Sequence, residues 1–180
     1  MLLLGHLGIT VGVAYGLERA WRRSPRWDYR LVLVGAVLPD LIDKPLALAG
    51  IWGGRAIGHT LLVFAVLTAV IALLVWRGRV SPGWWALPLG VAVHLVLDAM
   101  WLTPPVLLWP AFGFGFPGQL TTGSFAELLL ALLHEPGVLA GEIVGGILLV
   151  ALIVRHKLYR GEAWRRFLRE GVLPGTRTFA

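Results

Sequence analysis

The sequence predicts an all-α fold: a polytopic membrane bundle of about five transmembrane helices. Three observations predict it. Hydrophobic residues make up 57% of the 180-residue chain and charged residues only 14%, whereas ordinary soluble domains carry about 25% charged residues. The leucine- and valine-rich runs approach the ~20 residues needed to cross a bilayer core. The basic residues gather in short segments beside those runs, which is the signature of membrane topology. One membrane domain is expected over 1–154, followed by a basic cytoplasmic tail, 155–180.

The first span reads as Leu2–Leu17. It lacks the basic n-region of a signal peptide and carries His6, so it is expected to be retained. A charged connector, Glu18–Arg30, follows. The second span opens at Leu31 and runs into Pro39-Asp40-Leu41-Ile42-Asp43-Lys44-Pro45. Proline there predicts a bend or break, tolerated at membrane depth only beside protein or a polar cavity. The third span, Ile57–Trp76, is entered through Gly53-Gly54-Arg55 and left through Arg77, Gly78, Arg79, Ser81 and Pro82. The fourth, Trp84–Leu102, is stopped by Thr103-Pro104-Pro105.

The connector over 104–137 contains no lysine or arginine. Its aromatic, glycine-rich start, 109–118, is expected to lie at the interface or fold back over the bundle. Ser124-Phe125-Ala126-Glu127 forms a capping box for a short helix reaching about His134. The fifth span is Val138–Val154, where Gly145-Gly146 suits close helix contact. An amphipathic helix is expected over Ala163–Arg169.

Counting basic residues orients the bundle. The connector after span 1 holds five, that after span 3 two, and the tail seven, so fourteen of the sixteen fall on one side. The N-terminus is therefore expected outside and the C-terminus in the cytoplasm, in a prokaryotic inner membrane. The formal charge of +6 follows this topology, so membrane lipids are the expected partners and nucleic acid is not. The tryptophans fit interfacial anchoring. With no cysteine in the chain, disulfides, thiolate metal sites and cysteine nucleophiles are excluded.

Polar residues inside apolar spans point to function. His94 and Asp98 stand four apart in Val93-His94-Leu95-Val96-Leu97-Asp98, on one face of a helix. The proposed topology brings His6, Asp40, Asp43 and His59 to the same outer half of the membrane. Imidazoles and carboxylates without thiolates suit zinc, with manganese or iron as alternatives. One or two ions fit, and a water of lowered pKa would be the nucleophile. Metal ligands are expected at His6, Asp40, His59, His94 and Asp98, and catalytic roles at Asp40, Asp43, His94 and Asp98. Arg55 suits a substrate phosphate. Asp43 has the alternative of pairing with Lys44 or Arg55, Thr60 of bonding within its own helix, and Glu142 of supporting the site or sitting near the interface.

Gly5-His6, Gly35-Ala36-Val37-Leu38-Pro39-Asp40, the second acid Asp43, His59-Thr60, and His94-Leu95-Val96-Leu97-Asp98 occur in that order. Together they resemble the membrane-bound metal-dependent hydrolase family, also called LexA-binding, inner-membrane-associated hydrolases. The resemblance covers about residues 5–110. Many members place the second acid two positions after the first, whereas Asp43 is three after Asp40. The resemblance implies a metal-dependent hydrolase, and the outer-leaflet position implies a phosphoester or lipid-linked substrate. The alternative is a metal-stabilised, non-catalytic membrane scaffold or adaptor.

Overall fold

The computed structural model describes residues 2–21, 26–116, 130 and 134–174. Among these the protein is built of helices, with no strand. The α-helices are α1 (Leu3–Ala20), α2 (Tyr29–Leu48), α3 (Leu61–Trp76), α4 (Ala86–Leu97), α5 (Pro104–Leu107), α6 (Pro136–Arg155) and α7 (Gly161–Glu170). Short 3-10 turns at Ile57–His59, Pro82–Trp85 and Met100–Leu102 connect them. The helix expected from the 124–127 capping box lies outside the described residues, apart from Leu130 and His134.

Glycines set the main helix pairings. A Cβ on Gly8 of α1 would overlap the backbone of Gly145 on α6, and one on Gly145 would overlap the Leu4 carbonyl. Gly35 of α2 and Gly90 of α4 make the same kind of backbone approach, so α2 seats directly on α4. One apolar core joins Val11, Ala14, Tyr29, Val32 and Ala86, and a second joins Val91, Leu95, Met100 and Val106.

The outside of the bundle is apolar as well. In α3 only Ile71 is fully buried, while Leu62, Val66, Val70 and Leu73 face outward. Ile143, Ile147, Val150 and Val154 do so on α6. Exposed apolar surface on this scale marks a membrane or protein contact. Among the described helices, α6 is the one that is both long enough and apolar enough throughout to count as a membrane span by length and composition alone. Helix α3 and the 82–97 stretch are apolar but shorter, and α1 and α2 carry polar residues along their length.

Three local expectations change. Helix α2 runs unbroken through Pro39 and Pro45. The Ala36 carbonyl, one turn before Asp40, also accepts a hydrogen bond from His94. The third apolar run begins as a 3-10 turn, because Thr60 is extended and its Oγ1 caps α3 by accepting from Val63 N at 3.1 Å. The fourth run ends at Asp98, because Ala99 turns the chain into the left-handed region at φ 52°. The chain then folds back: Val106 enters the second core and Phe116 packs edge-on against Trp52.

Candidate metal centre

Four parts of the chain deliver polar side chains to one buried place. His6 lies in the second turn of α1, Asp40 and Asp43 lie on α2, and His59 ends the 3-10 turn before α3. His94 lies in the last turn of α4, and Asp98 caps that helix. The three imidazoles and Asp43 are at most 1% exposed.

Hydrogen bonding fixes how two of the rings point. His94 Nδ1 lies 2.7 Å from the Ala36 carbonyl oxygen. A carbonyl only accepts, so Nδ1 carries the hydrogen and Nε2 is left bare in the neutral ring. His59 Nδ1 lies 2.6 Å from Asp43 Oδ2, which fixes the same tautomer. Asp43 is itself held by the backbone N–H groups of Ala56 at 2.7 Å and Gly58 at 2.8 Å. Gly58 is required there, because a Cβ would come within 2.7 Å of the Pro39 carbonyl. The two Nε2 atoms face each other at 3.1 Å.

With both rings neutral this arrangement puts two lone pairs in contact, which is unfavourable unless a proton or a metal cation lies between them. Zinc–nitrogen bonds of about 2.0–2.1 Å set neighbouring nitrogens roughly 2.9–3.4 Å apart at tetrahedral to right-angled geometry. The observed separation fits. Oxygen donors surround the same point: Asp98 Oδ2 lies 3.6 Å and Asp40 Oδ1 3.9 Å from His59 Nε2. His6 Nε2 lies 3.2 Å from Asp98 Oδ1, yet neither ring nitrogen of His6 has an aligned hydrogen bond. Its ring stacks on His94 with centroids 4.1 Å apart. Two overlapping sets offer ligand atoms within 4.8 Å of one another: His6, His94 and Asp98, and Asp40, His59 and His94.

The model of the YdjM inner membrane protein family matches residues 1–163. The chain belongs to that family. Over 109 residues it is 28% identical to the uncharacterized protein YvsG of Bacillus subtilis (strain 168), a match covering 54% of this chain and 66% of that protein. The chain thus spans just under two thirds of that relative. No solved structure matches the chain. The YdjM description supports membrane placement and the sequence resemblance in its inner-membrane part; it names no activity.

In this YdjM-family chain the remaining site residues form the edge of the cluster. Arg55 donates from Nε to Asp98 Oδ2 at 3.0 Å, with its side chain 45% exposed. Lys44 reaches Asp40 Oδ2 at 2.6 Å. Asp43 pairs with neither cation; its oxygens are taken by His59 and the backbone. Glu142 lies across the first turn of α1 and accepts from the N–H groups of Leu2, Leu4 and Gly5. The sequence reading missed the Ala36 carbonyl. Its only signal was Pro39, three residues on, which disturbs a helical turn beside the apolar span that carries His94.

Proposed function

We propose that this protein is a membrane-embedded metal-dependent hydrolase with its site in the outer half of the bilayer. Helices α1, α2, α3, α4 with its preceding turn, and α6 would be the five spans. The basic segments would face the cytoplasm and the N-terminus the outside. The outward-facing leucines and valines of α3 and α6 support lipid contact on those faces.

The observation that carries the metal reading is the convergence of the two Nε2 atoms, 3.1 Å apart, with the carboxylates of Asp40 and Asp98 and the ring of His6 grouped around them. His6, Asp40, His59, His94 and Asp98 would hold a divalent ion, zinc by donor chemistry. A bound ion would supply Lewis-acid polarisation and a water acidic enough to attack near neutral pH. The protein's own residues do the rest. Asp43 holds His59 in its ligating tautomer, and the Ala36 carbonyl does the same for His94. Asp40 lies at the open edge, where its carboxylate can take a proton from the attacking water. Arg55, exposed beside Asp98, suits a phosphoester or the phosphate of a lipid-linked substrate. The aromatic stretch around Trp109 and Phe116 lies over the loop before His59, a position suited to admitting a lipid.

The full burial of all three imidazoles also favours a second reading, a closed structural metal in a membrane scaffold. Elemental mass spectrometry on detergent-purified protein, beside His94→Ala, tests both. One or two equivalents of a transition metal, lost in the variant, are expected. Turnover of phosphoester or phospholipid substrates by the loaded protein selects the hydrolase; bound metal without turnover selects the scaffold. No metal after reconstitution overturns both.

A further inference from the structure

We infer that Glu142, on α6, is the positioning residue for His6, and so completes the metal centre from a helix that contributes no ligand. This rests on the metal-centre reading above. His59 and His94 each have an Nδ1 partner that orients the ring; among the described residues His6 has none. Beyond its stack on His94 and its contact with Asp98, its placement rests on the backbone that carries it.

That backbone is the first turn of α1, where helical N–H groups lack intrahelical partners and the chain tends to fray. Leu2, the residue before α1, supplies no side-chain cap. Glu142 supplies it from across the helix interface. Its Oε1 accepts from Leu2 N and Gly5 N, and its Oε2 accepts from Leu4 N, each at 2.9 Å. A carboxylate is also electrostatically favoured at a helix N-terminus. Three residues along α6, Gly145 lets the two backbones meet: a Cβ there would overlap the carbonyl of Leu4 and lie 2.7 Å from the Cα of Gly5. Residues 2–5 are thereby clamped to α6. His6 follows directly, with its ring laid against His94 and its Nε2 beside Asp98. The clamp takes the place of the hydrogen bond that the other two rings receive.

The test uses the full chain in detergent with cobalt(II) as the probe, reading affinity by chelator competition and ligation by the visible spectrum. Glu142→Ala is expected to weaken cobalt binding by about 10–100-fold, the usual cost of losing support around a ligand. Its spectrum should become that of His6→Ala. Glu142→Gln keeps one acceptor oxygen and should recover part of the loss. In a His6→Ala background, removing Glu142 should cost no further affinity, an outcome that a merely structural role would not produce. Unchanged affinity in Glu142→Ala, or an equal loss with and without His6, overturns the inference. If Glu142→Ala does not fold, Glu142→Gln and its double variant with His6→Ala carry the same comparison. Failure of the unmodified chain to bind cobalt overturns the metal centre itself, and this inference with it.

Discussion

The two ends of α2 handle polar groups in opposite ways. Near Tyr29 most of the groups pair off, although Trp27 Nε1 and His156 Nε2 have no hydrogen-bond partner among the described residues. Tyr29 donates its hydroxyl hydrogen to Glu18, and Arg30 donates to Asp28 and to the carbonyls of Leu168 and Arg169. Arg155 donates to Tyr15, and His156 Nδ1 donates to the Pro174 carbonyl. Near Asp40 and Asp43 the partners instead turn two imidazoles so that their Nε2 atoms converge. A paired network holds a fold together; a convergent set of nitrogen and oxygen donors makes a place for a cation. Burial alone does not separate the two, since His156 is 6% exposed. Among the described residues, however, it belongs to no group able to hold a metal ion.

The sharpest way to break this comparison is to remove a converging nitrogen. His59→Ala or His94→Ala should lower metal affinity by on the order of a hundredfold or more, beyond the 10–100-fold typical of supporting groups. Elemental analysis after dialysis would read the loss, and full metal content in either variant would refute the assignment. Stability supplies a second readout. Free metal at 100 times its Kd stabilises the folded state by about 2.7 kcal/mol. Chelation should therefore lower the Tm of the unmodified protein and leave that of His94→Ala unmoved.

Asp43→Asn comes next. The amide cannot act as a second carboxylate oxygen toward both the backbone and His59, so His59 loses its oriented tautomer. An affinity loss of about 10–100-fold is expected. A loss as complete as that of His59→Ala would instead make Asp43 a ligand.

The line between what the sequence disclosed and what it hid follows from these contacts. Charged residues in apolar runs are costly, so His6, Asp40, Asp43, His59, His94 and Asp98 stood out individually, and alternation of the runs was enough to suggest their meeting. The partner of each side chain was not readable. Asp43 looked free to pair with Lys44 or Arg55, but two backbone N–H groups from the loop over 56–58 claim it. That loop's shape depends on close approach at Gly58, which no spacing rule encodes. The end of α4 at Asp98 was hidden for a similar reason: the left-handed turn sits at an alanine, which carries no turn signal of its own.

Helix contact separates two adjacent glycines. A Cβ on Gly145 overlaps α1, whereas one on Gly146 meets nothing within 4 Å. Gly145→Ala should destabilise the protein by about 1–3 kcal/mol, the usual cost of overpacking. Gly146→Ala should be neutral or slightly stabilising, since alanine is the better helix former. Thermal unfolding in detergent reads both, and equal effects would disprove the α1–α6 contact.

The smallest effect expected is at the paired end. Tyr29 is 1% exposed and its ring fills the core. Tyr29→Phe keeps that ring and removes only the hydroxyl that bonds to Glu18. Glu18 is half-buried, so water can replace the lost donor. The cost should be about 0.5–1.5 kcal/mol, the net worth of an ordinary hydrogen bond. Metal content should not change, because Tyr29 stands roughly 16–21 Å along the helix axis from Asp40 and Asp43, at 1.5 Å per residue. A Tyr29→Phe protein that kept its fold but lost its metal would show that the two ends of α2 act as one unit, with the paired network controlling the convergent one.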